Sequence, residues 1–149
     1  MTLSLRQTAL NLLARREHSI TELRRKLTDK DFDSGEIEAL LARLIQENLL
    51  SDERFTESFI QSRISKGFGP LHIRADLRER GIAATLIADS VKINAPQWRA
   101  AAQEAQRKRF GRSPASDYRK RVQQGRFLQQ RGFTMEQITA ALKGADDDE

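Results

Sequence analysis

The sequence predicts an all-α protein of three tandem three-helix, helix-turn-helix-like repeats that stack into an elongated, curved body. Three observations predict it. Apolar residues recur at helical spacing in almost every segment. Runs that alternate apolar with polar, as a half-buried strand does, are hard to find. One apolar pattern also returns twice, since Phe32, Ile37 and Leu41 have the spacing of Ile82, Ile87 and Val91 and again of Phe133, Ile138 and Leu142, at offsets of 50 and then 51 residues.

Taken in order, Leu5, Ala9, Leu12 and Leu13 form the first apolar stripe. Ile20, Leu23 and Leu27 form the second, opened by the capping box Ser19-Ile20-Thr21-Glu22, in which the first and last side chains each satisfy a free backbone N–H. Ile37, Leu40, Leu41, Leu44 and Ile45 form the third, opened in the same way by Asp33-Ser34-Gly35-Glu36. Further on, Gly67-Phe68-Gly69-Pro70 reads as a helix-to-helix turn, and Pro70 and Pro96 stand where a first helical turn needs no N–H donor. Gly81, Gly111 and Gly132 suit left-handed helix stops, and Thr134-Met135-Glu136-Gln137 repeats the capping device. About nine short helices result. Leu27 corresponds to Leu77 and Leu128, and Arg80-Gly81-Ile82 corresponds to Arg131-Gly132-Phe133. The expected modules are residues 1–50, 51–95 and 96–144, followed by an acidic tail at 145–149. A module of this size buries too little surface to stand alone, so neighbours must stack.

Composition narrows the function. With 149 residues, 38% hydrophobic and 32% charged, the chain is too apolar for a disordered protein and too charged for a bulky enzyme core. It has no cysteine, which removes disulfides, thiolate metal sites and cysteine nucleophiles and makes the cytoplasm the expected compartment. The start, Met1-Thr2-Leu3-Ser4-Leu5-Arg6-Gln7, turns polar too soon for a signal peptide, and no run is long enough to span a membrane. The net charge of +5 hides segregation. Residues 1–30 carry a net +4 and residues 31–62 a net −6; residues 63–131, with 16 basic and 5 acidic side chains, carry +11, and residues 132–149 carry −4. Such a basic block fits a polyanion or an acidic protein face.

No catalytic pattern is present, so no enzymatic activity, cofactor or metal is expected. His18 with Glu22, and His72 with Asp76, are spaced to share a helix face, but each pair lacks a third ligand and reads as a surface hydrogen bond. The Gly67-Phe68-Gly69-Pro70 turn lacks the lysine and glycine spacing of a phosphate loop. The candidate binding residues are basic: Arg24, Arg25 and Lys26; Arg63 and Lys66; Arg74, Arg78 and Arg80; Arg107, Lys108 and Arg109; Arg119, Lys120 and Arg121. Arg74 and Arg78 lie one turn apart on one face, and Arg112 follows Gly111. Guanidinium forks suit phosphates and carboxylates equally. Phe68, Trp98, Phe110, Tyr118 and Phe127 lie among these charges; core packing is the favoured reading, with Tyr118 and Phe68 the candidates for stacking on exposed bases.

A family resemblance rests on Leu50-Ser51-Asp52-Glu53-Arg54-Phe55, then Arg63-Ile64-Ser65-Lys66-Gly67-Phe68-Gly69-Pro70, then Ile73, Leu77 and Arg80-Gly81-Ile82. Together they resemble the central signature of the RecX family of recombinase modulators. Glu22-Leu23-Arg24-Arg25-Lys26-Leu27 resembles that family's N-terminal module, and Arg109-Phe110 with Arg126-Phe127-Leu128-Gln129-Gln130-Arg131-Gly132-Phe133 its C-terminal one. The resemblance covers residues 8–143, with departures at Leu49, where the family usually has an aromatic, and Asn48, where glycine is common. It implies three tandem three-helix modules and a regulator that binds in the groove of the RecA recombinase filament on DNA. It further implies inhibition of strand exchange, ATP hydrolysis and stimulated repressor cleavage; stacking of the repeats predicts a monomer, and the basic clusters predict weaker, non-specific binding to single- and double-stranded DNA.

Two other readings stay open. A helix-turn-helix DNA regulator would also be basic and helical, but would concentrate base-reading side chains at one recognition helix and usually dimerise. A structural repeat scaffold would bind protein with little salt dependence.

Overall fold

The computed structural model describes residues 2–111 and 117–147, with side chains through residue 143. Among the described residues there are nine helices and no strands: α1 (Leu5–Arg15), α2 (Ile20–Asp29), α3 (Ser34–Gln46), α4 (Asp52–Ser65), α5 (Pro70–Glu79), α6 (Ala84–Ser90), α7 (Gln97–Phe110), α8 (Tyr118–Gln130) and α9 (Met135–Asp147). No described helix is long and apolar enough to cross a membrane. Arg112 and the side chains of the acidic tail lie outside the described residues.

The predicted start and stop signals operate as chemistry. Ser19 accepts from the Glu22 N–H while Glu22 accepts from the Ser19 N–H, a complete capping box. Thr134 and Gln137 make the same reciprocal pair, at 3.2 and 3.0 Å. Pro70 is the first residue of α5, and Pro96 precedes α7 as its N-cap. The chain turns back at Gly81 and Gly132 with φ of 78° and 96°, and the equivalent position of the first repeat is Asp31 at φ 66°. Asp and Asn tolerate this left-handed region better than other L-residues, which explains why Asn48, at φ 60°, can stand where a glycine would be easier.

The chain packs as two compact units, residues 1–59 with 77–90 and residues 60–76 with 91–149. In the first, α2 packs on α1 and α3. Its core is Ala9, Leu23, Leu27, Ile37, Leu40, Leu41, Leu44 and Leu50, with Leu5, Leu12, Leu13, Ile20 and Phe32 against it. Ile45 departs from expectation. It lies 45% exposed, because Leu41 and Leu44 already fill the buried stripe and Ile45 falls a further step around the helix. In the second unit α7, α8 and α9 pack on one another. Trp98, Ala102, Ala105, Leu128, Phe133, Ile138 and Ala141 are buried there.

One joint occurs in each unit with the same parts. In the first unit the Arg80-Gly81 turn meets the start of α2, where Ser19 Oγ donates to the Arg80 carbonyl at 2.8 Å and Arg25 donates to the Glu79 carbonyl at 3.2 Å. A Cβ on Gly81 would collide with Thr21. In the second unit the Arg131-Gly132 turn meets the start of α5. There the Gly69 N–H donates to the Arg131 carbonyl at 2.7 Å and the Leu71 N–H to the Gly132 carbonyl at 2.9 Å. Backbone approaches backbone so closely that a Cβ on Gly69 would lie 2.6 Å from the Gly132 carbonyl carbon.

Candidate functional site

The predicted basic residues fall into two environments. In the first unit most are already engaged. Arg24 donates twice to the Glu38 carboxylate, at 2.9 and 3.0 Å. The exposed Arg25 lies at the joint just described, and the partly buried Arg80 places its guanidinium 3.7 Å from Glu22 and 4.8 Å from the Phe59 ring centre. Glu22 is the acidic node of that joint. Burial alone would push its carboxyl up, but donors from Arg16 and the Ser19 backbone outweigh it and hold the carboxyl below the usual range. Arg78 is exposed on the last turn of α5.

Lys26 and His18 form a pair that the sequence reading misplaced. His18 was expected to meet Glu22 at the surface; instead it is buried, with Nδ1 3.0 Å from the Arg16 carbonyl and Nε2 2.9 Å from Lys26 Nζ. A carbonyl only accepts and an ammonium only donates, so the ring is neutral with its proton on Nδ1. Burial, together with the neighbouring cations Arg16 and Lys26, lowers the His18 pKa. Burial and Arg16 likewise lower that of Lys26. The segment 16–26 looks like a surface helix start because Arg15, Arg16 and Glu17 surround it; only the tertiary packing turns His18 inward.

In the second unit the cations stand more open. His72 and Asp76 share a helix face, Nδ1 lying 3.0 Å from Oδ2, but without the hydrogen bond the spacing predicts, and Arg63 lies 3.9 Å from the same carboxylate. Lys66 is exposed and Arg74 partly buried. Arg107 is bound to Glu104 through two hydrogen bonds at 3.0 and 2.5 Å, while Lys108, Arg109, Arg119, Lys120 and Arg121 are exposed. Among the described residues no group of three or more His, Cys, Asp or Glu side chains could hold a metal ion.

Arg109, Arg119 and Lys120 come together, with Phe110, Tyr118, Val122, Gln123, Arg126, Phe127 and Gln130, around an open groove of about 790 Å³ between α7 and α8. Its floor is aromatic, since the Phe110 and Phe127 rings meet edge to face at 5.4 Å. Arg109 lies over both, 5.5 and 5.9 Å from their centres. Trp98 is core, as favoured, its Nε1 donating to the Lys92 carbonyl at 2.8 Å. Tyr118, one of the two proposed exceptions, is 83% exposed. Phe68, the other, is partly buried: it stacks on His72 at 4.4 Å, and the Arg131 guanidinium lies 4.6 Å from its ring centre.

Two basic residues of this surface were not singled out from sequence. Arg126 lines the groove, and Arg131 lies between Phe68 and Phe127, 5.1 Å from the latter. A signal for Arg126 was available: Arg119, Gln123, Arg126 and Gln130 follow the helical period and share a face. Arg131 had one as well, being the counterpart of Arg80 in the repeat.

Comparison with known proteins places these features in a family. Family models described as the first, second and third three-helix domains of RecX match residues 6–44, 51–90 and 97–142, in that order. The chain is 40% identical to the regulatory protein RecX of Halorhodospira halophila over 146 residues, covering 98% of this chain and 91% of that one. It is 43% identical to the regulatory protein RecX of Pseudomonas entomophila over 143 residues, covering 96% and 92%. The crystal structure of RecX from Lactobacillus salivarius superposes with a TM-score of 0.76 at 22% identity, covering 95% of this chain and 94% of that one, a likeness of fold.

Proposed function

The chain belongs to the RecX family of regulatory proteins, and from that membership we propose that it is a non-enzymatic modulator that binds the RecA recombinase filament on DNA and inhibits strand exchange, ATP hydrolysis and stimulated repressor cleavage in recombination and repair. The observation that carries this reading is the ordered match of all three RecX domains to one chain whose residues 63–131 hold a net +11. A filament of protein on DNA offers both phosphates and carboxylates to such a surface, and several weak contacts on one chain give avidity. The protein acts as a cytoplasmic monomer, with no cofactor. Its binding residues come from the basic positions, Lys66, Arg74, Arg78, Lys108, Arg109, Arg119, Lys120 and Arg121 foremost, of which all but the partly buried Arg74 are exposed.

The test is ATP hydrolysis by RecA on single-stranded DNA with increasing amounts of this protein. Hydrolysis should fall, and a folded Arg74→Ala, Arg78→Ala variant should suppress it less, with stability unchanged to within about 0.5 kcal/mol. Undiminished hydrolysis at every ratio contradicts the proposal. Preference for one short duplex sequence by more than about 1000-fold would replace it with the helix-turn-helix regulator.

A further inference from the structure

We propose that the groove between α7 and α8 is a seat for single-stranded nucleic acid in which the Tyr118 ring stacks on an unpaired base. The inference rests on the filament reading for its setting, and it assigns to this groove the nucleic-acid share of the contacts.

Three observations converge on it. Four cations, Arg109, Arg119, Lys120 and Arg126, rim the groove, and among the described residues none of the ion pairs uses any of them. Tyr118 opens the same groove with 83% of its surface exposed, far more than an aromatic ring in a packed core would show. The groove, open and of about 790 Å³, has room for one or two extruded bases.

The occupant follows from ring chemistry. An acidic protein segment would satisfy the cations, but the face of a tyrosine ring is negative and gives a carboxylate nothing. A base stacks on that face whatever its identity, while the flanking guanidinium groups meet the phosphates on either side. In a duplex the bases are stacked on one another and the Tyr118 face has no partner. The site therefore reads strandedness and not sequence, which suits a protein that must find a nucleoprotein filament wherever it forms.

The experiment uses the whole protein, a short oligothymidylate, an abasic strand of equal length, the corresponding duplex and polyglutamate. Tyr118→Ala should weaken oligothymidylate binding by roughly tenfold, whereas Tyr118→Phe, which keeps the ring, should bind as the native chain does. On the abasic strand the two chains should bind alike, because only phosphates remain. Arg126→Gln should reduce the salt slope of single-strand binding by about 0.7. Tyr118 is the only tyrosine and the buried Trp98 the only tryptophan, so quenching of tyrosine emission by oligothymidylate, with tryptophan emission as internal reference, reports stacking directly. Unchanged dichroism of Tyr118→Ala shows that a loss is not unfolding. Equal affinity of Tyr118→Ala and the native chain for oligothymidylate overturns the proposal, as does polyglutamate binding as tightly as the strand. Because these arms contain no recombinase, failure here leaves the regulatory reading standing, and failure to affect RecA leaves the groove's ligand standing.

Discussion

His18 is neutral because its two ring nitrogens face partners of opposite sense, the Arg16 carbonyl and the Lys26 ammonium. Its folded pKa lies below the ordinary 6.5, so the folded chain holds a proton there less readily than the unfolded chain. Stability is therefore undiminished above about pH 6.5 and falls as the pH drops below it, since protonation favours unfolding. Urea midpoints at pH 8 and pH 5.5 should show this loss, and His18→Gln should shrink the difference between them; an unchanged difference would mean that other groups cause it. The apolar side chains make a simpler case. Leu27, Leu77 and Leu128 occupy equivalent positions of the repeat and all three are fully buried. Leu128→Ala should cost about 2–5 kcal/mol, measurable by denaturant unfolding, and a loss well under 1 kcal/mol would contradict its place in the core. These leucines were legible in the sequence because burial of an apolar stripe depends on local period. The pairing of the arginines was not legible, because Arg24 meets Glu38 only once α2 and α3 have packed, and Arg80 meets Glu22 only once a turn 58 positions away has docked.

The helix starts and the glycine stops are the elements by which one repeat engages the next. Ser19 caps α2 and also donates to the Arg80 carbonyl, so it serves helix and joint at once. Ser19→Ala should cost at least the 1 kcal/mol or so of a lost cap, and a change below about 0.5 kcal/mol would show the joint to be dispensable. Glycines offer a contrast of sign. Gly132 has φ 96° and a Cβ there would lie 2.5 Å from His72, so Gly132→Ala should destabilise by more than about 1 kcal/mol. Gly125 sits within α8, where a Cβ would meet Ile138 at an ordinary 3.8 Å, so Gly125→Ala should stabilise by about 0.5–1 kcal/mol. Thermal melts of the two variants should move in opposite directions; movement in the same direction would contradict the geometry. Gly81 and Gly132 could be read from sequence as helix stops. Their second task, admitting the start of another helix, could not, because nothing in the spacing states which backbone comes near.

At the scale of the whole molecule, charge separates along the chain and the two units use it differently. The first unit commits Arg24, Arg25 and Arg80 to internal partners, while the second leaves Lys108, Arg109, Arg119 and Lys120 at the surface. Segregation was plain from sequence, since a count of side chains suffices to find the net +11 of residues 63–131. The groove was not, because its walls come from α7 and α8 and its aromatic floor from Phe110 and Phe127, 17 positions apart. On the proposed function, in which the partner is protein on DNA, affinity draws on both components, and salt distinguishes them. Each phosphate neutralised on a single strand contributes about −0.7 to the slope of log affinity against log salt, so five contacts would give roughly −3.5. The most direct measurement compares binding to bare single-stranded DNA, to RecA alone and to the assembled filament across one salt series. Affinity for bare DNA should fall steeply while affinity for the filament falls less and stays higher as salt rises; equal affinities and equal slopes for filament and bare DNA would contradict the account.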